Sequence, residues 1–399
     1  MTNRLYYNDP YLRVFDASIS SIDQRETRLI VTLDSTAFYP TSGGQPFDTG
    51  TLGPWRVIET VDQDDGAIGH IVEPLPEAAD GGSHVTVGDR VHGEVDWPRR
   101  FDHMQQHTGQ HVLSAALERL FSVRTVSFHL GAEASTIDLA REVSVTEIAA
   151  AEDEGNRIVW EDRPVTIRYV TSEEAARLPL RKEPAREGTL RLIEVGDFDL
   201  SACGGTHVAR TGAIGVITVT AWERFKGGYR LEFLCGGRAL NRFRASRDTV
   251  SSLVRLLSVT PNELPDATAR LLAEARDQKR TIAGLQSELA AFRAAELAAS
   301  AVDGFVGRSL DADAGTLKAL AAAVSARSGY TVVLVSTRQP ALVVVARSAD
   351  VPVDADHLLA ALLARFGGRG GGKPAIAQGG GLQGSPDAIL AAARSLASA

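Results

Sequence analysis

Four side chains in this sequence make a donor set for a transition metal. They are His107 and His111 in His107-Thr108-Gly109-Gln110-His111, and Cys203 and His207 in Cys203-Gly204-Gly205-Thr206-His207, about ninety residues further on. In each pair three residues separate the donors, the spacing that puts two side chains on neighbouring turns of one face if the segment is helical. Three imidazoles and a thiolate suit zinc, which accepts mixed nitrogen and sulfur ligands in a tetrahedron, whereas magnesium and calcium take carboxylate and carbonyl oxygens. His-x3-His alone is a weak signal, but the second pair uses one of only two cysteines in the chain. With all four donors bound the site is closed, as structural zinc sites are. A catalytic role then needs either an expanded coordination or one loosened ligand. A zinc peptidase would carry glutamate directly after the first histidine; Thr108 stands there instead, which argues against that class.

The elements that must carry these donors are legible from periodicity. Phe101 to Leu120 places Val112, Leu113, Ala116, Leu117 and Leu120 at helical spacing, so the first pair rides on a long helix whose apolar face turns inward. His103 lies eight residues before His111, about 80° around the helix, and is expected at the surface or behind the ligands. Upstream, residues 1–95 hold short β-branched runs such as Arg28 to Leu33, Trp55 to Ile58 and Arg90 to Val95, the pattern of a small antiparallel barrel or sandwich, of which the β-barrel is the reading taken. A loop after Leu33 runs through Thr36 to Gly43-Gly44-Gln45. Its glycines permit positive φ and close backbone approach, and Gln45 offers both a donor and an acceptor; an ordinary turn is the plain alternative. Strands are expected at Thr125 to Leu130, Ser135 to Leu139, Val165 to Val170, Val216 to Thr220 and Tyr229 to Leu234, with a helix from Val145 to Glu161. Thr125, Ser127 and His129 fall on one face of their strand and could line a polar pocket, although a satisfied structural histidine is the plainer role for His129. Residues 96–245 thus read as the α/β core of a chain of α+β class, with helices over a sheet and the second donor pair in a loop, and Cys235 is expected as a small buried residue.

Three runs together resemble the alanyl-tRNA editing proteins, freestanding relatives of the editing domain of alanyl-tRNA synthetase. They are Phe38-Tyr39-Pro40-Thr41-Ser42-Gly43-Gly44-Gln45-Pro46, Met104-Gln105-Gln106-His107-Thr108-Gly109-Gln110-His111, and Cys203 to His207. The resemblance implies a zinc-dependent deacylase of tRNA(Ala) mischarged with serine or glycine, with His107, His111, Cys203 and His207 on the metal. It also implies that the Gly43, Gly44 and Gln45 loop borders the editing pocket. The threonine sensing the serine hydroxyl matches Thr36, with Thr41 a close alternative.

Beyond residue 245 the pattern changes again. Thr260-Pro261-Asn262-Glu263 reads as a capping box with proline at the first helical position. Leu271, Ala275, Ile282, Leu285, Leu289 and Phe292 then follow steps of three and four around one polar break at Gln278. Residues 246–299 therefore read as a helical coiled-coil linker that could pair two chains through 266–296, or else as a helix packed on its own domain. Residues 300–399 form a small α/β unit, which resembles the C-terminal domain shared by that synthetase and the DHH phosphoesterases. Its Gly367-Gly368-Arg369-Gly370-Gly371-Gly372-Lys373-Pro374 run lacks the ending of a P-loop. It reads either as a flexible loop or, through Arg369 and Lys373, as a surface for RNA phosphates.

The chain carries 42 basic and 50 acidic residues, a formal charge of −8. That balance argues against a general nucleic-acid coat. Arg224, Lys226, Arg230, Arg238, Arg242 and Arg244 nevertheless cluster within about twenty residues, either as a phosphate-binding stripe or as a solvated face paired with acids. No apolar run is long enough to cross a bilayer and the start lacks signal-peptide character, so a cytoplasmic protein without a membrane partner is expected. Two rivals to the deacylase remain: a zinc-stabilised tRNA- or RNA-binding module without activity, and a phosphoesterase, for which the Asp-His-His triplet is missing.

Overall fold

Alternation of apolar and polar residues between positions 14 and 95 closes six strands into an antiparallel barrel. These are β1 (Val14–Arg25), β2 (Arg28–Leu33), β3 (Gly50–Leu52), β4 (Trp55–Asp62), β5 (Ile68–Pro74) and β6 (Arg90–Val95), in the order β1-β2-β5-β4-β3-β6. In β6 every second residue is buried, as a strand with one face inside must be. Phe15, Val31, Leu33, Phe38, Leu52, Val57 and Val72 fill the interior. The computed structural model describes residues 1–25, 28–76, 85–181 and 188–398. The chain divides into two units, Met1–Ser252 and Leu253–Ala399.

Helix α1 (Trp97–Phe121) leaves the barrel directly. The Asp96 side chain accepts the Arg99 N–H, Pro98 occupies the first turn, and Ser122 ends the helix in the left-handed region at φ 55°, so both ends are satisfied locally. α1 packs with α2 (Val145–Trp160) on a sheet of β7 (Thr125–Leu130), β8 (Ser135–Leu139), β12 (Ile217–Phe225) and β13 (Gly228–Cys235), ordered β12-β13-β8-β7. A second, three-stranded antiparallel sheet joins β9 (Val165–Thr171), β10 (Thr189–Val195) and β11 (Asp199–Ala202). Helix α3 (Gly236–Leu257) follows β13.

In the second unit the capping box at Thr260 is formed, its side chain and Glu263 bonding reciprocally, and it leads into α4 (Leu264–Ala299). Only Ala267, Ala290, Ala294 and Ala298 of α4 are buried, the last three in the core of the second unit. Leu271, Ile282, Leu285, Leu289 and Phe292 are exposed, Phe292 to 70%, so the helix packs on its own domain through its last turns while the seam stays uncovered. The remainder is a five-stranded sheet, β14 (Phe305–Leu310), β15 (Thr331–Ser336), β16 (Ala341–Arg347), β17 (Arg369–Lys373) and β18 (Ile376–Leu382), ordered β14-β15-β16-β18-β17. Helices α5 (Ala314–Ser325), α6 (Ala355–Phe366) and α7 (Pro386–Ala397) cover it.

The glycine-rich run corrects one expectation. Arg369–Lys373 is not a flexible loop but the edge strand β17, paired with β18 from Arg369↔Gly380 to Lys373↔Ile376. A partner strand supplies the hydrogen bonds that make glycines extended, which composition does not reveal. Among the described residues no helix is long and apolar enough to cross a membrane.

Candidate metal centre

His107 and His111 project from the same face of α1, their ring centroids 5.4 Å apart. Cys203 and His207 reach them from the loop after β11, and the four donor atoms lie within 4.8 Å of one another. Cys203 Sγ stands 3.4 Å from the Nε2 of both His107 and His207. A tetrahedron with zinc–sulfur and zinc–nitrogen bonds has an edge of about 3.6 Å, so the donor set fits that ion.

Each imidazole is held from behind in the tautomer a metal needs. The Thr206 N–H, which can only donate, meets Gln45 Oε1 at 3.1 Å, while Gln45 Nε2 donates to Thr206 Oγ1 at 2.8 Å. Gln45 Oε1 therefore accepts from His107 Nδ1–H at 2.8 Å. His111 Nδ1–H donates to Asp199 Oδ2 at 2.8 Å. Thr108 donates its hydroxyl hydrogen to the Met104 carbonyl, so its oxygen accepts from His207 Nδ1–H at 3.2 Å. All three Nε2 lone pairs thus face the thiolate side, the arrangement that raises ligand basicity and fixes ring orientation.

Electrostatics point the same way. Burial pushes the Cys203 thiol up, but the charges and hydrogen bonds of His107, His207 and His111 outweigh it and hold the thiol well below its ordinary range. Burial and the neighbouring His107 bring His207 down to about 3. Burial would lower His111 too, yet Asp199 and Cys203 raise it. Asp199 is buried, which opposes its ionisation, but His111 and Arg181 hold it ionised, Arg181 Nε at 2.6 Å from Oδ1. With both oxygens engaged, Asp199 is not a free general base.

Beside the cluster lies a cavity of about 150 Å³, walled by Tyr39, Ser42 and Gly43 from the barrel loop, Gln110 from α1, Ser127 and Phe128 from β7, and the Cys203-Gly204-Gly205 backbone. Gln110 donates through Nε2 to Ser114 Oγ at 2.9 Å, and Thr125 donates to the same oxygen at 2.8 Å. Gln110 Oε1 has no donor among the described residues.

The barrel loop is anchored to α1 by a buried ion pair. Arg100 and Asp48, both fully buried, pair through Nη2 and Oδ2, and Arg100 also donates to the carbonyls of Ala37 and Pro10. Asp48 Oδ2 in turn accepts the Tyr39 N–H at 2.7 Å. Gln45 is thereby brought to His107, and it sits behind that ligand rather than in the cavity wall. Gly43 does line the cavity. Gly44, at φ +88°, packs on β7, where an added Cβ would stand 2.7 Å from the Phe128 carbonyl oxygen.

Other residues singled out from the sequence fall elsewhere. Thr36 is fully buried in the barrel and does not line the cavity. His70 Nδ1–H donates to the Val31 carbonyl, so Nε2 accepts the Thr36 hydroxyl hydrogen at 2.9 Å, and the Thr36 oxygen accepts the Phe38 N–H. Thr41 is exposed and accepts the Phe47 N–H. His103 is not at the surface: it is 3% exposed, its Nδ1 has no partner, and burial together with Arg99, Arg238 and Arg100 lowers it to about 3. It stays outside the donor cluster. His129 is exposed rather than a satisfied core histidine, and the cavity takes Thr125 to Phe128 without it.

Three of the six residues of the basic cluster are paired with acids: Arg224 with Glu142, Arg230 with Asp138 and Arg238 with Asp102. Lys226 stands over the Phe225 ring at 5.1 Å in the turn between β12 and β13. Arg369 and Lys373 close the two ends of β17 and are exposed.

Asp199, Arg181, Arg191 and Gln110 carry the site without having been singled out. A signal for Asp199 existed, since strand alternation puts Asp199, Ser201 and Cys203 on one side.

Comparison with known proteins adds to this geometry. The family model "Threonyl and Alanyl tRNA synthetase second additional domain" matches residues 190–232, and the "DHHA1 domain" model matches 295–399. The alanyl-tRNA editing protein AlaX-L of Pyrococcus horikoshii is 32% identical over 395 residues, covering 95% of this chain and 94% of its own length. Alanine–tRNA ligases of Methanothrix thermoacetophila and Methanoculleus marisnigri are each 34% identical over 98% and 97% of this chain, which spans only 44% and 42% of theirs.

Proposed function

The chain belongs to the family of the alanyl-tRNA editing proteins, and from that premise we propose that it is an aminoacyl-tRNA deacylase. It hydrolyses the ester that joins a wrong amino acid, serine or glycine, to the terminal ribose of tRNA(Ala), with zinc on His107, His111, Cys203 and His207. The observation carrying this reading is the convergence of three Nε2 atoms and a thiolate beside a cavity large enough for a small acyl group. Zinc held there would join helix to loop and, with a fifth coordination position, supply Lewis acidity at the ester carbonyl.

The chain's own groups do the rest. Gly43 and Gly204 line the cavity, and their backbone amides are the proposed donors for the oxyanion. Discrimination falls to the polar wall and not to Thr36, whose hydroxyl hydrogen is held by His70. Gln110, with its nitrogen committed to Ser114, presents Oε1 as an acceptor for the serine hydroxyl; an alanyl ester leaves that acceptor unpaired. Arg369, Lys373, Lys226 and Arg224, all exposed, are proposed phosphate contacts, Arg224 by exchanging Glu142 for phosphate. The exposed α4 seam within 266–296 is proposed to pair two copies.

Incubation of the zinc-loaded protein with seryl-tRNA(Ala), glycyl-tRNA(Ala) and alanyl-tRNA(Ala) tests this. Serine should be released far faster than alanine, and His107→Ala should abolish the release. Equal rates for wild type and that variant would defeat the catalytic claim. Four-donor closure favours a second reading, a zinc-stabilised tRNA-binding module; in that case charged tRNA binds but keeps its amino acid.

A further inference from the structure

Arg191, on β10, is only 9% exposed, yet it forms no ion pair with any described acid. Nη1 donates to the carbonyls of Cys203 at 2.7 Å and Gly205 at 3.0 Å, and Nε donates to the Tyr7 carbonyl at 3.0 Å. The guanidinium lies over the Tyr7 ring, 5.4 Å from its centroid, and Nη2 is buried without a partner. A cation taken out of water without an acid beside it is costly. Here carbonyl oxygens are its main compensation, and two of the three belong to the loop carrying Cys203.

That grip, together with the Cys203 N–H bonded to the Arg191 carbonyl at 3.1 Å, bears on which way the loop's amides face. In a trans peptide the C=O and N–H point in opposite directions. With the Cys203 carbonyl turned to Arg191, the Gly204 N–H is turned away from it, and Gly204 itself is exposed and lines the cavity. The next two amides are already used: the Gly205 N–H meets Cys203 Sγ at 3.4 Å and the Thr206 N–H meets Gln45 Oε1 at 3.1 Å. Gly204 N–H alone of the three has no acceptor among the described residues.

We propose that Arg191 is a positioning residue that aims the Gly204 amide at the acyl oxygen of the substrate, making that amide the donor for the oxyanion. The proposal rests on the deacylase reading above. In the reaction a water oxygen bonds to the acyl carbon and the bond to the ribose oxygen breaks. The ribose oxygen leaves with one proton from the water, and the other stays with the acid or passes to solvent. Negative charge gathers on the acyl oxygen between these events, when the Gly204 N–H bond is strongest.

The test measures kcat and KM on seryl-tRNA(Ala) for zinc-loaded wild type, Arg191→Met, Arg191→Lys, Gly204→Pro and the Arg191→Met/Gly204→Pro double variant, with metal per chain and melting temperature for each. Arg191→Met should lose roughly 100-fold in kcat, the scale of one oxyanion donor, with KM and metal content as in wild type. Arg191→Lys, which keeps a donor for the carbonyls, should recover part of the loss. Proline at 204 removes the N–H, so the double variant should be no slower than Gly204→Pro alone. A kcat within roughly threefold of wild type, a loss that tracks lost metal, or losses that multiply in the double variant would each overturn the proposal. If Arg191→Met does not fold, Arg191→Lys takes its place in the same cycle. A wild type that leaves serine on the tRNA overturns the deacylase reading itself, and this proposal with it.

Discussion

The two donor pairs share one spacing and differ in almost everything else. His107 and His111 sit on a helix whose residues from Gln106 to Leu117 are all buried, so their directions are set by a packed core whether or not an ion is present. Cys203 and His207 sit on a loop that enters the core through Val208 and is otherwise held by Arg191, Gln45, Thr108 and the ligands themselves. One arm of the centre is thus rigid by packing and the other by polar braces. The metal should therefore matter more to the second arm's order than to the first's.

Chelation is the harshest way to break this comparison. Removing the metal should expose the amides of 203–208 to hydrogen exchange while those of 106–117 stay protected, because local stability follows buried apolar packing. Equal loss in both arms would show that α1 also depends on the ion. A milder series removes the groups behind each imidazole. Asp199→Ala, Gln45→Ala and Thr108→Val should weaken metal binding in that order, within the roughly 10- to 100-fold range for such partners. A charged acceptor bonds more strongly than an amide or a hydroxyl, and loss of Asp199 also strands Arg181. Competition against a chromogenic chelator ranks the three, and an inverted order would overturn the account. The smallest effect tests the helical arm alone. A Cβ on Gly109 would stand 2.2 Å from Cys235 Sγ, so Gly109→Ala should cost about 1–3 kcal/mol of stability, read as a lower melting temperature. A variant melting as wild type does would show that this arm has slack.

Features that repeat along the chain were legible in the sequence. The helix bearing His107 and His111 announces itself through apolar spacing, and the barrel strands through alternation. Glycines at 43 and 44 signalled an unusual turn, which their positive φ bears out. Less legible was anything decided by a distant neighbour. Thr36 lies in the same run as the glycines, yet His70, on another strand, turns its hydroxyl into the barrel. Gln45 stood out as a polar handle, but its place behind His107 follows from Arg100 and Asp48 pinning the loop to α1. Arg191 looks like an ordinary polar residue within a strand, and only the fold shows that no acid among the described residues pairs with it. The basic cluster read equally well as a binding stripe or as ion pairs, because the acids that meet it, Glu142, Asp138 and Asp102, come from distant parts of the chain.

The edge strand β17 has a further consequence, for solubility. Its outer side offers unpaired peptide groups, the usual template on which identical chains stack. Three glycines leave no side chains to interlock across such a stack, and Arg369 and Lys373 stand at the two ends. Were two copies to meet antiparallel along this edge, each arginine would face the other copy's lysine, and like charges placed opposite one another disfavour the pairing. The protein thus keeps an open edge that resists self-recruitment into aggregates.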